Sequence, residues 1–165
     1  NEVIAINTNV NLDKKPTPLK NKIDTVVQNL SAYLGNHNAK VINKVRETTN
    51  IQVIPAYIDS ILMNFLTNAV KYKHPERNAR IIFSAKSEKG YTILSVTDNG
   101  LGIDLDKYGD KLFGMYKTFH EHCDARGIGL YITKNQIEAM KGKISVESKV
   151  GKGTTFNIYF KEKNG

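Results

Sequence analysis

The sequence predicts an α/β fold: a two-layer sandwich in which a mixed sheet of about five strands carries three helices on one face. Three observations carry this expectation. Residues 56–72 place Ile58, Ile61, Leu62, Phe65, Leu66, Ala69 and Val70 on one broad apolar face at helical spacing. Residues 80–85 with 91–98, and 143–148 with 154–161, alternate as strands do, around turns at Lys89-Gly90 and Gly151-Lys152-Gly153. The order along the chain is helix, strands, helix, hairpin, loop, helix, hairpin, which supplies a layer of helices for a layer of strands.

Each element has a local reason. Residues 1–12 are short and apolar at Val3, Ile4, Ile6 and Val10, like the end of a longer helix. Pro16 and Pro18 break that pattern, because proline removes a donor and restricts the residue before it. From Leu19, apolar residues recur at Ile23, Val26, Val27, Leu30, Tyr33 and Leu34, and Gly35 followed by Asn36-His37-Asn38 stops the helix. Residues 41–45 and 51–54 read as two short strands around a polar turn. Lys73-His74-Pro75 ends the helix of 56–72. Residues 99–126 form an irregular, glycine-bearing stretch, long for a compact domain, and such loops usually carry function. Residues 127–140 read as a helix.

At 165 residues, 40% hydrophobic and 24% charged, the chain fits one soluble globular domain. No apolar run reaches the roughly 18 residues a membrane span needs. The first residues do not make a signal peptide, and the start at Asn1 reads as an excised fragment whose parent has a membrane anchor, if any, outside this chain. Cys123 is the single cysteine, so no internal disulfide forms and a cytoplasmic setting follows. The net charge of +8 is spread along the chain rather than clustered, there is no Trp, and the Tyr and Phe residues are not interleaved with arginines. That argues against nucleic acid as a partner.

Three polar features stand out. Asn64, Asn68 and Lys71 fall at i, i+4 and i+7 on the helix of 56–72, within about 60° of arc. Asn is a mediocre helix former, so two of them one turn apart call for a reason beyond a solvated helix edge. Side-chain carbonyls suit a hydrated Mg²⁺, and a lysine beside them suits a phosphate. Asp98 ends the strand of 91–98, sharing a face with Leu94 and Val96, where an unpaired carboxylate is expensive. It needs a donor, and the exocyclic amine of adenine is one; a plain Asp-Gly hairpin turn is the competing account of the same residues. Gly100 and Gly102 follow it. Finally, Gly127-Ile128-Gly129 opens a helix, where exposed backbone N–H groups favour phosphate. A dinucleotide fingerprint and a phosphate-loop motif are both absent.

Taken together and in order, Asn64-Phe65-Leu66-Thr67-Asn68-Ala69-Val70-Lys71-Tyr72, Asp98-Asn99-Gly100-Leu101-Gly102-Ile103, Leu112-Phe113-Gly114-Met115-Tyr116 and Gly127-Ile128-Gly129-Leu130 resemble the catalytic, ATP-binding domain of sensor histidine kinases. That family shares its superfamily with DNA gyrase, the mismatch-repair ATPase and a heat-shock chaperone. The likeness runs from about Pro16 to Phe160, and residues 71–77 and 113–120 look like the large sensory kinases of Bacteroides-like bacteria. It implies a sheet with a mobile ATP lid, and a catalytic domain over 13–165 preceded in 1–12 by the tail of a dimerising, phosphoacceptor helix.

It also implies a set of roles. Asn64 and Lys71 act on the phosphates as the catalytic pair, and Asn68 holds Mg²⁺. Tyr72 faces the ribose or adenine, and Asp98 binds the adenine amine. Gly100, Gly102 and Ile103 shape the pocket edge. Gly127, Ile128, Gly129 and Leu130 form the phosphate-side turn. Phe113 and Tyr116 anchor the lid, and Thr155, with Thr154, closes the floor beneath adenine. The activity implied is transfer of the γ-phosphoryl of Mg-ATP to a histidine on a helical domain of the same protein, homodimeric at full length, and onward signalling to a response-regulator receiver domain. The domain itself is then cytoplasmic, with a parent anchored in the inner membrane through other regions.

Two departures bear on this. Ala125 stands where the family's second glycine box opens with glycine, which favours an alternative: a nucleotide-binding module without histidine transfer, such as an anti-sigma-type serine kinase or a degenerate kinase. Asn64 stands where gyrase-type members carry a Glu, which argues against water activation. None of His37, His74, His120 or His122 has an acceptor-histidine context. The run His120-Glu121-His122-Cys123 lacks the ligand spacing of a zinc site.

Overall fold

The computed structural model describes residues 12–109, 112, 113 and 124–162, without the side chains of 124–129. The expected helical tail at 1–12 therefore lies almost wholly outside the described residues. The elements are β1 (Lys15–Pro18), α1 (Leu19–Asn29), α2 (Ser31–Asn36), β2 (Lys40–Asn43), β3 (Asn50–Val53), α3 (Pro55–Lys71), β4 (Arg80–Glu88), β5 (Tyr91–Asp98), α4 (Leu105–Tyr108), α5 (Asp124–Ala139), β6 (Lys143–Lys149) and β7 (Gly153–Lys161).

Five strands form the main sheet in the order β2-β4-β5-β7-β6, with β2 parallel to β4 and the other neighbours antiparallel. One face of this sheet is apolar because the strands alternate in register. Ile81 and Phe83 of β4, Leu94 and Val96 of β5, and Phe156, Ile158 and Phe160 of β7 share it. Against that face lie α1 through Leu19, Ile23 and Val26, α3 through Ile58, Ile61, Leu62, Phe65 and Leu66, and α5 through Leu130 and Ile137. Each fully buried Leu, Ile or Phe contributes about 1.5–3 kcal/mol through the area it removes from water. The α/β sandwich with three helices on one face of a five-stranded mixed sheet is as the sequence predicts.

Several local expectations are corrected. The strands expected at 41–45 and 51–54 are present as β2 and β3, shifted to Lys40–Asn43 and Asn50–Val53, and they go to different sheets. β2 joins the edge of the main sheet beside β4, and β3 pairs with β1 in a separate two-stranded ribbon. The segment with Pro16 and Pro18, expected only to interrupt, is itself a strand. It has a single partner, and an edge is where proline is tolerated. The first helix divides at Leu30, whose φ of −100° and ψ of 13° are not helical, and resumes through Gly35 to Asn36.

β2 ends at Asn43 for a visible reason. The side-chain amide of Asn43 donates to the Lys20 carbonyl (3.1 Å) and to Asp24 Oδ1 (2.8 Å), and its oxygen accepts the Val45 N–H (3.1 Å), which ties the strand end to α1. The stretch expected to be irregular holds a short helix, α4, capped by Asp104, whose Oδ1 accepts from the Lys107 N–H at 3.2 Å. Among the described residues, no helix is long and apolar enough to cross a membrane.

Candidate functional site

Asp98 lies at the end of β5 on the sheet face that bears the core, paired with Ile81 on one side and Thr154 on the other. The strand period therefore puts its carboxylate where Leu94 and Val96 point, at the margin of the helix layer. Its Oδ1 accepts the Gly100 N–H at 2.9 Å, which turns the chain sharply after the strand. A side chain at Gly100 would put its Cβ 2.7 Å from the Tyr72 carbonyl oxygen, so only glycine passes there. Gly102 sits at φ +76°, and a Cβ would meet the Lys149 carbonyl at 2.2 Å. Both glycines are set by close approach of the chain's own backbone, of Tyr72 at Gly100 and of Lys149 at Gly102.

Polar contacts hold this end of the site together. Ser148 Oγ accepts the Ile103 N–H (2.8 Å), donates to the Gly153 carbonyl (2.9 Å) and lies 2.8 Å from the Thr154 hydroxyl. Leu101 N–H donates to the Tyr72 carbonyl (3.0 Å), and Gly151 N–H to the Leu101 carbonyl (2.7 Å). Tyr72, at the C-cap of α3, is thus joined to the Asp98 turn by backbone. Thr155 departs from expectation. It faces the opposite side of the sheet, where its hydroxyl lies 3.0 Å from that of Thr97. The neighbouring Thr154, 3% exposed, shares the face of Asp98, because consecutive strand residues alternate faces.

The polar stripe of α3 forms the second part of the site. Asn64 donates from its side-chain amide to Thr133 Oγ1 of α5 at 2.9 Å, so in this structure it ties two helices together and does not stand as an open group. Thr133 is fully buried and carried no signal in the sequence beyond its place on a helix. Asn68 is 8% exposed, and its side-chain nitrogen is buried with no hydrogen-bond partner among the described residues. A buried amide nitrogen without a partner costs about 1–3 kcal/mol, which marks this position as a candidate for binding a further group. Lys71 is exposed in the last turn of α3, where a cation suits the helix dipole.

The third part is less complete. α5 begins at Asp124, three residues before the expected start. Gly127 consequently falls in its first turn. Gly129 falls in the second, where an α-helix engages its own N–H groups. The expected phosphate donors thus narrow to the first turn. Ile128 precedes Leu130, which is fully buried in the core. Phe113 packs edge-on against Phe156 at 6.4 Å, and Phe156 meets Phe65 at 5.0 Å, which holds the Phe113 ring over the sheet. Tyr116, and the run His120-Glu121-His122-Cys123, lie outside the described residues.

A cleft of about 670 Å³ opens elsewhere, between the β1–β3 ribbon and the far end of the main sheet, lined by Arg46, Asn50, Gln52, Lys86, Lys161 and Glu162 among others. It contains none of the nominated residues. Size alone does not select it, because the carboxylate at a strand end, the close-approach glycines and the C-cap of the Asn-bearing helix meet elsewhere.

Such a strand-end carboxylate beside an Asn-bearing helix, on a sandwich of this order, defines the class of ATPase domains built on a mixed sheet with helices on one face. The family model described as histidine kinase-, DNA gyrase B-, and HSP90-like ATPase matches residues 54–164, and the chain belongs to that family as a catalytic ATPase domain. Its curated relatives include the sensor protein RprX of Bacteroides fragilis, 30% identical over 141 residues, covering 82% of this chain and 27% of the relative. The sensor protein BceS of Halalkalibacterium halodurans is 36% identical over 121 residues, covering 72% of this chain and 35% of the relative. The chain therefore spans about a third or less of these relatives. Among solved structures, the catalytic domain of histidine kinase ThkA superposes with a TM-score of 0.77 at 20% identity, covering 92% of this chain and 97% of that one. This likeness is one of fold.

Proposed function

We propose that this domain binds Mg-ATP and donates the γ-phosphoryl group to a histidine on a helical domain of the same protein, the start of a relay to a response-regulator receiver domain. Residues 1–12 would then be the tail of that helical domain, 13–165 the catalytic domain, and the full-length protein a homodimer. The domain works in the cytoplasm, with any inner-membrane anchor in other regions.

The observation that carries the reading is the pairing of Asp98 with Thr154 at the end of the sheet, linked through the Leu101 N–H and the Tyr72 carbonyl to the helix that carries Asn68, whose side-chain nitrogen is buried with no partner among the described residues. A carboxylate has about four acceptor positions, so Asp98 can keep the Gly100 N–H and still accept the adenine amine. Tyr72, Gly100, Gly102, Ile103 and Thr154 would wall the base. Asn68 is assigned the metal role for its side-chain oxygen, a ligand type Mg²⁺ accepts, while its buried nitrogen would be left to donate to a phosphate oxygen. When bound, the ion supplies charge neutralisation at the phosphate oxygens.

Asn64 and Lys71 would orient the phosphates, Asn64 by exchanging Thr133 for a phosphate oxygen. The first turn of α5, with Gly127, and the following Ile128, Gly129 and Leu130 would close the phosphate side, with Phe113 and Tyr116 as lid anchors. In the transfer, an imidazole nitrogen forms a bond to the γ-phosphorus as the bond to the β–γ bridging oxygen breaks, and ADP leaves with that electron pair. No carboxylate on the α3 stripe activates water, so hydrolysis should be slow beside transfer.

The test is incorporation of label from γ-labelled ATP. The chain alone should bind Mg-ATP and take up no label. Added in trans, the upstream helical segment of the parent should become labelled on histidine. Stable phosphohistidine on the isolated chain would count against an external acceptor. ATP binding with no transfer to any upstream segment would favour the non-transferring module.

A further inference from the structure

We propose that Arg77 is the positioning residue of the base end of the site, an inference that rests on the adenine reading of Asp98. Arg77 is half-buried in the loop between α3 and β4, and no motif assigns it a role. Its Nε donates to the Asn99 carbonyl at 2.8 Å, and its Nη2 donates to the Gly151 carbonyl at 2.7 Å. The same Nη2 lies 3.4 Å from the carbonyls of Gly100 and Lys152.

One guanidinium thus spans two chain segments, Asn99-Gly100 directly after Asp98 and Gly151-Lys152 directly before Gly153-Thr154. Asp98 and Thr154 are register partners on neighbouring strands, so the separation of the two loops sets the mouth between them. Several carbonyl oxygens turned toward one place repel each other unless a cation sits among them. The planar fork of arginine holds donors at fixed angles and can serve both loops at once, which a lysine cannot.

Further contacts transmit this spacing to the carboxylate. Arg80 N–H donates to Asn99 Oδ1 (2.8 Å) and the Asn99 amide to the Asn78 carbonyl (3.1 Å), so the loop carrying Arg77 and the loop after Asp98 are bound twice over. Gly100, held between Arg77 and the Tyr72 carbonyl, presents the N–H that orients Asp98 Oδ1. Arg77 therefore acts through Asp98 and touches no ligand. Among the described residues it bonds none of Asn64, Asn68 or α5, so its influence is confined to the base.

Calorimetric titration of the full chain with Mg-ATP and with Mg-tripolyphosphate separates base from phosphate. Arg77→Ala should weaken Mg-ATP about tenfold, the scale of one charge-assisted hydrogen bond lost at the carboxylate, and leave tripolyphosphate within about twofold. Millimolar ethylguanidinium should restore ATP affinity to Arg77→Ala and do nothing to the wild type. Arg77→Lys keeps the charge without the span and should still bind ATP several-fold more weakly; it gives the answer if Arg77→Ala does not fold. Equal losses for ATP and tripolyphosphate, or unchanged ATP affinity in both variants while Asp98→Ala lowers it, would overturn the role of Arg77 and leave the adenine site standing. If Asp98→Ala binds ATP as the wild type does, the adenine reading itself falls and takes this inference with it.

Discussion

At the Asp98 end of the site, protein groups answer protein groups: Gly100 N–H meets Asp98, Ile103 N–H meets Ser148, Asn99 meets Arg80 and Asn78, and Arg77 gathers the carbonyls of two loops. At the Asn68 end the pattern reverses. The Asn68 side-chain nitrogen is buried with no partner among the described residues, and Asn64 donates its amide to Thr133, a contact that a phosphate would have to displace under the proposed function. The difference suits the two halves of a nucleoside triphosphate. A base is flat, weakly polar and always the same shape, so a preformed wall recognises it at little cost on binding. A triphosphate with its ion changes charge and geometry during reaction, and polar groups that exchange partners can follow it.

The comparison can be broken first at Gly102. If the base end is prebuilt without slack, Gly102→Ala should destabilise the ligand-free domain by more than about 2 kcal/mol, since the left-handed backbone alone costs about 1–2 kcal/mol for a residue with a Cβ. The Cβ would also collide with the Lys149 carbonyl. In a domain of this size that is a fall in Tm of roughly 4–8 °C by scanning calorimetry. An unchanged Tm would mean that the loop yields and the wall is not preformed.

Next in size is Asp98→Ala, which should lower ATP affinity by about 1–3 kcal/mol, the range for a hydrogen bond to a charged group. It should also narrow the preference for ATP over GTP, because guanine offers a carbonyl where adenine offers an amine, and the repulsion leaves with the carboxylate. Titration of both nucleotides into both proteins decides it; equal weakening would reduce Asp98 to a turn residue.

The smallest effects form a matched pair. Asn99→Ala removes two bonds made within the protein and should cost the ligand-free domain about 1 kcal/mol in urea unfolding. Asn68→Ala removes a side-chain nitrogen that has no partner among the described residues, so ligand-free stability should stay within about 0.5 kcal/mol of wild type, lost packing offsetting the relieved orphan. Its effect should appear in the magnesium-dependent part of ATP affinity. A loss of the same size in chelator would remove the metal role, and a large fall in ligand-free stability would make Asn68 an ordinary structural residue.

Much of the frame was legible in the chain. The helix expected at 56–72 is Pro55–Lys71, and the strand at 91–98 is β5, Tyr91–Asp98. Both carry strong periodicity over many residues, and the same period placed Asp98 beside Leu94 and Val96 on the inner face. Thr155 shows how narrow that success is. The strand was recognised, but the choice between Thr154 and Thr155 depends on which face meets the helices, and a shift of one residue inverts it.

What the sequence determined alone was therefore local: where repeats of 3.6 and 2 residues run, where glycine and proline interrupt them, and which polar residues sit against those patterns at Asn64, Asn68 and Asp98. Only the tertiary structure decided the rest. β2 lies parallel beside β4 and β3 leaves for β1, because pairing is settled by which surfaces remain to be covered once the sheet is assembled. Asn64 reaches Thr133 across 69 positions, and Arg77 reaches Gly151 across 74. No local period encodes such a contact. Its energy depends on three-dimensional geometry, and that geometry exists only after the apolar faces of α1, α3 and α5 have closed on the sheet.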